Sequence, residues 1–339
     1  MKTSDFDYHL PSENIAQTPK EPRHNSRLMV MQREKIGIED SKFRNLGTYL
    51  SPGDLLVINQ TRVIPARIYA RKTTGGRVEL LLLKNMGGNT WEALVGGKGM
   101  KPGVIVQVEG GPKVEILTDL SGSRRLLQFL ESIEKILPSI GQMPLPPYIH
   151  TPLTDPERYQ TVYSTHSGSA AAPTAGLHFT PELMRELEGN GIHFARVTLH
   201  VGLDTFAPIT EEDPTEHKIH SEWCEITEEN ARIINDTKAH GGRVIAVGTT
   251  SVRTLESSTA GRKPLEKVAP FSGPTELFIL PGYQFRVVDA MITNFHLPQS
   301  SLLMLVSAFA GRERILAAYQ EAIGRGYRFY SFGDAMLIL

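Results

Sequence analysis

The segment at residues 168–180, GSAAAPTAGLHFT, combines small residues with a histidine. Small side chains let the backbone approach a ligand closely, and a histidine on such a loop can reach that ligand and exchange protons with it. We therefore expect His178 to be catalytic. The alternative is a tight turn in which His178 makes a structural hydrogen bond. The residues of this segment that we expect to bind substrate are Pro173, Thr174, Ala175 and Gly176.

The segment at residues 247–256, VGTTSVRTLE, has the pattern of an apolar strand, a small polar turn and a helix start. Unpaired backbone N–H groups at a helix start, together with hydroxyls and a guanidinium, suit an anion. The pattern is neither a G-x-G-x-x-G fingerprint nor a P-loop, because no lysine follows the glycine. An ordinary helix start with a surface arginine is the alternative. The residues that we expect to hold the anion are Thr249, Thr250, Ser251 and Arg253.

A third polar segment, HKIHSE at residues 217–222, brings two histidines and a glutamate together. His217 and His220 have the i, i+3 spacing of two metal ligands on one helical turn. Neither an HExxH pattern nor a cysteine partner accompanies them, so we expect no metal site. His220 and Glu222 could instead tune each other's pKa as an acid–base pair, with Glu222 at the start of a strand.

Two further histidines lie where predicted strands end. His200, in TLHVG, shares a strand face with Thr198, which predicts either a substrate contact or a satisfied core histidine. The segment TNFHLP at residues 293–298 predicts a strand-to-helix corner, which places Asn294 and His296 at a sheet edge where α/β proteins bind ligands. The aromatic residues that could stack on a nucleobase, although isolated aromatics are more often core residues, are Tyr283, Phe285 and Phe295.

The composition limits the chemistry that these residues can do. The chain has 339 residues, with 36 Lys and Arg, 37 Asp and Glu and a single cysteine. One cysteine, Cys224, excludes an internal disulfide framework and a cysteine-ligated iron–sulfur cluster, and with the latter a radical mechanism. The N-terminus lacks the apolar core of a signal peptide, and the longest apolar stretch, residues 302–310, is shorter than the ~20 residues that span a bilayer. We expect a soluble, intracellular protein without a membrane segment.

The elements that must position these residues change in character along the chain. Short strand candidates separated by glycine-rich breaks between residues 67 and 117 predict a small barrel or sandwich. Before and after them strands alternate with helices, ending in a predicted strand at residues 327–332. We therefore predict an α/β fold, with a large discontinuous α/β domain of residues 1–65 and 150–339 and an inserted small β-barrel domain of residues 66–149. A single mixed domain is the alternative.

The predicted insert is more basic than the rest of the chain. It has 11 Lys and Arg against 7 Asp and Glu, whereas the whole chain has a net charge of −1. Clustered basic residues can neutralise nucleic-acid phosphates, although a solvated sheet face is the alternative that composition alone favours. The clustered residues expected to contact phosphates are Arg67, Arg71 and Lys72.

The chain resembles the S-adenosylmethionine:tRNA ribosyltransferase-isomerase family of queuosine biosynthesis along nearly its whole length. The motifs that carry this resemblance occur in order: DFDYHLP at 5–11, NQTRVIPAR at 59–67, PLPPYI at 144–149, RYQTVYS at 158–164, GSAAAPTAGLHFT at 168–180, TLHVG at 198–202, HSE at 220–222, VGTTSVRTLE at 247–256, TNFHLP at 293–298 and YRFYSFGDAMLIL at 327–339. One such block would be a weak signal, but this many in one order is a specific one.

The resemblance implies an α/β domain that carries an inserted small β-barrel, in agreement with the boundaries predicted above. It also implies an enzyme that transfers and isomerises the ribosyl part of S-adenosylmethionine onto 7-aminomethyl-7-deazaguanine at the tRNA wobble position, giving epoxyqueuosine, adenine and methionine. S-adenosylmethionine is then a co-substrate, with no further cofactor. The implied partners are tRNAs with a GUN anticodon, for Asp, Asn, His and Tyr, whose anticodon arm the basic insert would contact. We expect a cytoplasmic monomer.

This chemistry requires a base that removes a 5′ proton next to the sulfonium and an acid that protonates leaving groups. We expect His178 to serve as both, with His220 or Glu222 as the competing candidate. Arg253 and the turn at 249–251 would hold the methionine carboxylate or a tRNA phosphate. His200 remains a candidate substrate contact. The residues expected to orient ribose hydroxyls or adenine are Asn294 and His296.

Two positions depart from the pattern of the family. Asp204 stands where the family usually has a second glycine after TLHVG, and Gln60 stands within NQT where it usually has NDT or NNT. Aspartate tolerates a positive φ better than most residues, so we expect the turn to survive. Two other function classes stay open: an S-adenosylmethionine-dependent RNA methyltransferase, which the lack of a glycine-rich loop after the first strand disfavours, and a non-catalytic RNA-binding protein.

Overall fold

The protein is described by a computed structural model over residues 1–35, 37–202, 208–259 and 268–339. Within these residues a nine-stranded mixed sheet and a closed six-stranded barrel form the framework. The first strands of the chain are β1 (Arg27–Met31), β2 (Ile38–Lys42), β3 (Leu55–Asn59) and β4 (Thr61–Val63). A 3₁₀ helix at Phe43–Tyr49 lies between β2 and β3 and buries Phe43 and Leu46.

The barrel forms from six consecutive strands with a hydrophobic core of their own. On β7 and β8 buried and solvent-facing residues alternate strictly, as expected where one strand face lines the barrel interior. The buried core of the barrel draws its residues from positions 66–137, with partly buried neighbours out to Ile140. The barrel strands are β5 (Arg67–Arg71), β6 (Arg77–Gly87), β7 (Thr90–Val95), β8 (Ile105–Val108), β9 (Lys113–Ser121) and β10 (Arg124–Phe129).

The chain enters and leaves the barrel at one place. Arg67 and Gln142 form an isolated antiparallel bridge, in which each backbone N–H donates to the carbonyl of the other, at 3.1 and 2.8 Å. Gly141 lies so close to this crossing that a Cβ there would overlap the carbonyl oxygen of Pro65. Adjacent entry and exit points are the arrangement expected of a barrel inserted into another fold.

The remainder of the chain contains the other strands of the large sheet, the helices that cover it, and two short elements that lie outside it. These elements are α1 (Leu137–Ile140), β11 (His166–Ser169), α2 (Pro181–Gly189), β12 (His193–Leu199), β13 (Glu222–Ile226), α3 (Glu228–Ala239), β14 (Val244–Val247), α4 (Thr249–Ser257), β15 (Phe271–Thr275), β16 (Ala290–Asn294), α5 (Ser301–Ala310), α6 (Arg312–Gly324) and β17 (Ala335–Ile338). The short strands β4 and β11 pair with each other. Hydrophobic clusters lie on both faces of the large sheet.

The large sheet has the order β15-β13-β12-β3-β14-β16-β17-β1-β2. Its centre is parallel, since β3 pairs in parallel with β12 and β14, and β14 pairs in parallel with β16. All five residues of β3 are buried, as expected for a central strand covered on both faces. The carboxyl ends of β12, β3, β14 and β16 therefore meet at one edge of the sheet.

The α/β fold with a closed barrel confirms the predicted fold class, but the predicted strand at residues 327–332 is wrong. The last strand is β17, and the segment before it is a loop in which Tyr330 has a φ of 70°. Tyr327 and Phe329 are fully buried and pack their rings against Phe295. Aromatic residues that anchor a loop in the core resemble a strand in sequence. No helix within the described residues is long and apolar enough to cross a membrane.

Candidate active site

A cleft opens at the carboxyl edge of the parallel strands, where a ligand site is expected in an open α/β sheet. Its walls come from segments that follow these strands and from the loop between β11 and α2. The described residues that line the cleft have no charged side chain, provided that His296 is neutral. The lining consists of residues 172–175, 248–250 and 293–297, with Tyr148, Val201, Ser300, Leu302, Tyr330 and Ser331.

The loop that carries Pro173, Thr174 and Ala175 is fixed to the end of β12. Ala171 bridges to Val201, and the Ser169 hydroxyl accepts from the Val201 N–H at 2.9 Å and donates to the Ala171 carbonyl at 2.7 Å. Gly176 follows because a Cβ there would overlap the hydroxyl oxygen of Tyr163. The motifs GSAAAPTAGLHFT and TLHVG therefore form one wall of the cleft.

Asn59 holds the ends of two parallel strands together beneath the cleft. Its Oδ1 accepts from the backbone N–H groups of Thr61 and Leu199, both at 3.1 Å, and its Nδ2 donates to the Leu199 carbonyl at 3.0 Å. The next residue, Gln60, is buried and donates from Nε2 to the Thr198 hydroxyl at 3.3 Å, and it does not line the cleft. The other departure from the family pattern, Asp204, lies outside the described residues.

Two helices begin at the cleft. Helix α4 follows Gly248, whose φ of 87° permits the sharp turn, and no side chain caps its N-terminus. Helix α5 begins after Ser300, whose hydroxyl accepts from the Leu303 N–H. The Thr250 hydroxyl oxygen is buried and finds no hydrogen-bond partner among the described residues. The partial positive charge of helix N-termini makes this side of the cleft favourable for an anion.

Arg253 points away from this turn and into a buried ion network. Its Nη1 contacts Glu222 Oε2, and Glu222 Oε1 accepts from the Gly202 N–H at 2.8 Å and lies 3.1 Å from His220 Nε2. Burial alone would raise the pKa of Glu222, but the Arg253 guanidinium and the His220 contact lower it to about 2. Glu222 is therefore a carboxylate at neutral pH. As the sequence predicts, it begins a strand and lies beside His220.

The His220 network borders the cleft. His220 and Arg253 line a smaller cavity that shares Leu302 with the cleft. His220 also lies near Gly202, the residue that follows the cleft-lining Val201. The other histidine of HKIHSE, His217, is directed elsewhere and pairs with Glu211 at 2.9 Å. Among the described residues no group of three or more His, Cys, Asp and Glu side chains could hold a metal ion.

His178 lies behind the cleft and does not line it. Its Nδ1 is 2.7 Å from the Ser26 hydroxyl, its Nε2 is 3.3 Å from Asn294 Nδ2, and its ring stacks on Phe43. Burial lowers the pKa of His178 to about 3, helped by Arg328 and Arg23, so its imidazole is neutral at physiological pH. Both of its ring nitrogens are occupied by protein partners.

His296 and Asn294 do line the cleft, at the corner that the sequence predicts after β16. The His296 Nε2 is 2.7 Å from the Thr293 hydroxyl, and burial lowers the pKa of His296 to about 3. The backbone N–H of His296 donates to the Tyr319 hydroxyl at 3.0 Å, and the Tyr8 hydroxyl donates to the His296 carbonyl. The DFDYHLP motif thus braces this corner through Tyr8.

His200 has the surroundings of a satisfied structural histidine. Its Nδ1 is 2.8 Å from the Thr61 hydroxyl, and its ring stacks on Trp223. Burial lowers its pKa. The ring also lies against Gly168, where a Cβ would be only 2.9 Å from it. His200 is therefore next to the cleft-lining Val201 but faces away from the cleft.

Sequence reasoning missed the aromatic pair at the mouth of the cleft. Tyr148 and Tyr330 lie with ring centroids 4.7 Å apart, and the Tyr148 hydroxyl bonds to the Ser331 hydroxyl at 2.8 Å. Of the aromatic residues proposed for stacking, Phe295 lines the cleft but is fully buried, while Tyr283 packs on Phe285 outside it. The signal was present, since Tyr148 lies in PLPPYI and Tyr330 in YRFYSFG.

Two of the three basic residues predicted to contact phosphates, Arg67 and Arg71, are paired with acids. Arg67 lies 3.3 Å from Glu79, and Arg71 lies 3.0 Å from Glu109. Lys72 reaches the Lys98 carbonyl. These carboxylates reduce the positive charge that the sequence alone places on this face.

A second cavity, of about 1010 Å³, lies between the barrel and the α/β part. Arg67 and Trp91 line it from the barrel, and Arg62 and Gly168 line it from the α/β side. Gly168 is the residue against which His200 packs, so the segment that follows β12 lies between this groove and the cleft, which Val201 lines.

Comparison with known proteins places the chain in one family. It matches the family described as "Queuosine biosynthesis protein" over residues 3–338. The proteins named S-adenosylmethionine:tRNA ribosyltransferase-isomerase from Desulforamulus reducens and Symbiobacterium thermophilum are 53% and 54% identical to it, each over 100% of both chains. The crystal structure of S-adenosylmethionine tRNA ribosyltransferase from Thermotoga maritima is 40% identical, has a TM-score of 0.58 and covers 99% of this chain and 100% of that chain. The chain therefore belongs to the queuosine biosynthesis protein family, as its motifs predicted.

Proposed function

We propose that the protein transfers and isomerises the ribosyl part of S-adenosylmethionine onto 7-aminomethyl-7-deazaguanine at the wobble position of tRNA. Adenine and methionine leave, and the product is epoxyqueuosine in tRNA. The full-length similarity to proteins of that name carries this proposal. The cleft supports it, because its uncharged walls combine apolar side chains with hydroxyl and amide groups, and its two helix N-termini suit the carboxylate of an amino acid joined to a nucleoside.

We propose that the methionine carboxylate binds at the N-terminus of α4. The backbone N–H groups that follow Gly248 and the unpartnered Thr250 hydroxyl face the cleft there, with Thr249 beside them. The Ser251 hydroxyl is engaged with the Val247 carbonyl at 2.9 Å and so stabilises the turn. Arg253 supports the site from behind through Glu222. A tRNA phosphate is the alternative occupant of the same anion site.

The adenosine part would lie towards β16. Asn294 and His296 offer hydrogen-bonding groups there for ribose hydroxyls or adenine, and Pro173, Thr174 and Ala175 form the facing wall. Tyr148 and Tyr330 present aromatic rings on which a purine or the extruded deazaguanine can stack.

Acid–base catalysis requires a group that the ligand can reach and that can exchange a proton with it. We propose His220 for this role, oriented by the Glu222 carboxylate that Arg253 keeps ionised. The geometry favours it over His178, because the His220 side chain is 16% exposed whereas His178 is buried behind the cleft. Glu222 itself is a weak base because its pKa is about 2.

The base would remove a 5′ proton beside the sulfonium so that adenine leaves. The amine of the deazaguanine then attacks the sugar, and epoxide closure expels methionine.

For the RNA, we propose that the anticodon arm of tRNAs with a GUN anticodon, for Asp, Asn, His and Tyr, lies along the groove between the barrel and the α/β part. Arg62 and Arg67 line that groove, and Arg71 and Lys72 extend the basic surface along β5 and beyond it.

We also propose that the protein works as a monomer in the cytoplasm, where such tRNAs are found. We propose the same domain limits as the sequence predicts, with residues 1–65 and 150–339 in the α/β domain and residues 66–149 in the barrel domain.

The test is release of adenine from S-adenosylmethionine in single turnover, with tRNA that carries 7-aminomethyl-7-deazaguanine, followed by mass spectrometry of the wobble nucleoside. We expect adenine to appear in step with a nucleoside enlarged by the ribosyl-derived group. Transfer of a labelled methyl group to the RNA would instead identify a methyltransferase. Tight tRNA binding with no adenine released would identify a non-catalytic RNA-binding protein.

The assignment of His220 has its own test in the same assay. His220→Ala should slow adenine release by roughly 10²- to 10⁴-fold, the usual contribution of a positioned acid–base group. His217→Ala is the matched control, because His217 lies three residues earlier and pairs with Glu211 away from the cleft. An equal effect of the two substitutions would contradict the role of His220.

A further inference from the structure

A chain of four hydrogen-bonded side chains runs from the cleft into the protein interior. Thr174, at the cleft wall, bonds to Asn294 Oδ1 at 3.0 Å. Asn294 Nδ2 lies 3.3 Å from His178 Nε2, and His178 Nδ1 lies 2.7 Å from the Ser26 hydroxyl. Asn294, His178 and Ser26 are all at least nine-tenths buried.

The chemistry of its neighbours fixes which way the Asn294 amide faces. The atom assigned as Nδ2 lies 3.2 Å from the Tyr330 carbonyl oxygen and 3.5 Å from that of Asp334. Carbonyl oxygens only accept hydrogen bonds, so the amide group that faces them must be the NH₂. Asn294 Oδ1 is therefore the atom that faces Thr174.

This orientation determines every proton in the chain. Because Asn294 Nδ2 donates, His178 Nε2 must be unprotonated, so the ring proton is on Nδ1 and is donated to Ser26. Because Asn294 Oδ1 only accepts, the Thr174 hydroxyl must donate to it. The Thr174 oxygen then has only lone pairs left for the cleft. Each hydrogen bond points away from the cleft, and such aligned chains strengthen one another.

We propose that Thr174 is the acceptor for a hydroxyl or amino group of the bound ligand, and that His178 and Asn294 are positioning residues that fix this polarity. The inference rests on the proposed function, because it takes S-adenosylmethionine or the modified tRNA as the occupant. The ribose hydroxyls and the adenine amino group of S-adenosylmethionine carry such donors, and so does the aminomethyl group of the deazaguanine. His178 contributes by staying neutral: an imidazolium would present N–H to the Asn294 N–H and break the chain.

The test measures equilibrium binding to wild-type protein and to Thr174→Val, which keeps the shape and removes the acceptor. The ligands are S-adenosylmethionine, its 2′-deoxy, 3′-deoxy and N6-dimethyl analogues, and tRNA with either 7-aminomethyl-7-deazaguanine or guanine at the wobble position. For the ligand that carries the partner donor we expect Thr174→Val to weaken binding about tenfold, as for loss of one buried hydrogen bond. The analogue without that donor should bind both proteins alike. Thr174→Ser, which keeps the hydroxyl, should bind like the wild type.

Coupling to one ligand group supports the inference and identifies the donor, whether it belongs to the ribose, the adenine or the RNA base. Absence of coupling to every group, with Thr174→Val folded and binding like the wild type, would overturn it. Wild-type protein that binds S-adenosylmethionine but releases no adenine would contradict the proposed function alone, because the coupling is measured by binding.

The positioning role of His178 is tested by two substitutions. His178→Gln retains an acceptor near the Nε2 position, so we expect nearly wild-type affinity and an adenine-release pH profile of unchanged shape. His178→Ala removes the acceptor and should weaken ligand binding about tenfold. His193→Gln, at an exposed histidine of β12, is the control for substitution itself. A His178→Gln protein that binds ligand normally but has lost adenine release and the acidic limb of the profile would show that His178 is the base.

Discussion

At the scale of single residues, the site depends on side chains whose protonation states are fixed by neighbours. His178 and His296 are kept neutral by burial, and Glu222 is kept ionised by Arg253. The His220 side chain, at 16% exposure, remains more accessible than that of Glu222, at 2%. One accessible titratable group beside buried groups of fixed charge is typical of sites in which one group exchanges protons while others hold it in place.

The Glu222 ion network predicts a pH dependence of stability. The folded-state pKa of Glu222, about 2, lies below its ordinary value of 4.5, so the stabilisation is complete above pH 4.5 and is lost as the pH falls towards 2. The shift corresponds to roughly 3 kcal/mol at neutral pH, of which roughly 2 kcal/mol should be lost by pH 3. Urea unfolding at pH 6 and pH 3 measures it.

The control for this prediction is Glu222→Gln, which cannot titrate. We expect wild-type protein to lose roughly 2 kcal/mol more than Glu222→Gln between the two pH values. The substituted protein should also be less stable at pH 6, because Arg253 is left buried without its carboxylate. Glu225→Gln, whose side chain points to the other face of β13, should behave like the wild type. Equal pH dependence in wild type and Glu222→Gln would contradict the assignment.

Most candidate residues of the site could be identified from the sequence, but the contacts between distant ones could not. His220 and Glu222 are neighbours along a strand edge, so their pairing was accessible to sequence reasoning. Arg253 is on a helix 31 residues away from its partner Glu222, and only the packing of α4 against the sheet brings the two together. The same holds for Asn294 and His178, which are 116 residues apart in sequence.

At the scale of elements, local signals were reliable wherever a cap or a central strand set the pattern. Thr180 and Thr227, each a threonine followed by a first-turn acid, cap α2 and α3, and the apolar run of residues 55–58 lies in β3. Barrel strand β10 was missed, since its polar residues Arg124 and Arg125 hide the alternation. Strand β10 belongs to the barrel because it pairs with β7 and β9, and a local sequence pattern does not reveal such pairing.

The outer face of the barrel predicts how the protein responds to salt when it binds tRNA. Replacing Arg67, Arg71 and Lys72 with glutamate should weaken tRNA binding and reduce the slope of log affinity against log salt by roughly 2, as for the loss of three phosphate contacts. Affinities measured between low and physiological salt give this slope. An unchanged slope would place the RNA on another surface.

The acidic partners of these residues provide the opposite test. Glu79 and Glu109 compete with phosphates for Arg67 and Arg71. The double substitution Glu79→Gln and Glu109→Gln should therefore strengthen tRNA binding and leave the affinity for S-adenosylmethionine unchanged. Weaker binding would show that these ion pairs order the arginines for the RNA instead.

At the scale of the whole molecule, the barrel has a hydrophobic core separate from the clusters that cover the large sheet. The barrel core draws on residues 66–137, whereas the clusters on the two faces of the large sheet draw on the rest of the chain. Tyr148 contacts Tyr330, so the segment that returns from the barrel already belongs to the surroundings of the cleft. Composition and glycine breaks could predict the change from alternating helices and strands to short strands. The position at which the chain returns from the barrel depends on the bridge between Arg67 and Gln142.

This bridge predicts that the barrel can be removed without loss of the cleft. Paired residues of an antiparallel bridge lie about 5 Å apart, so two or three Gly-Ser residues can join Arg67 to Gln142 in place of residues 68–141. The shortened protein should unfold cooperatively and bind S-adenosylmethionine within about threefold of the wild type, because the described lining of the cleft lies outside the barrel. Its affinity for tRNA should fall by at least tenfold if the basic face of the barrel contributes even one to two phosphate contacts. Calorimetry and filter binding measure the two affinities separately. A shortened chain that fails to fold would support the single mixed domain instead, since the barrel would then be part of one cooperative core.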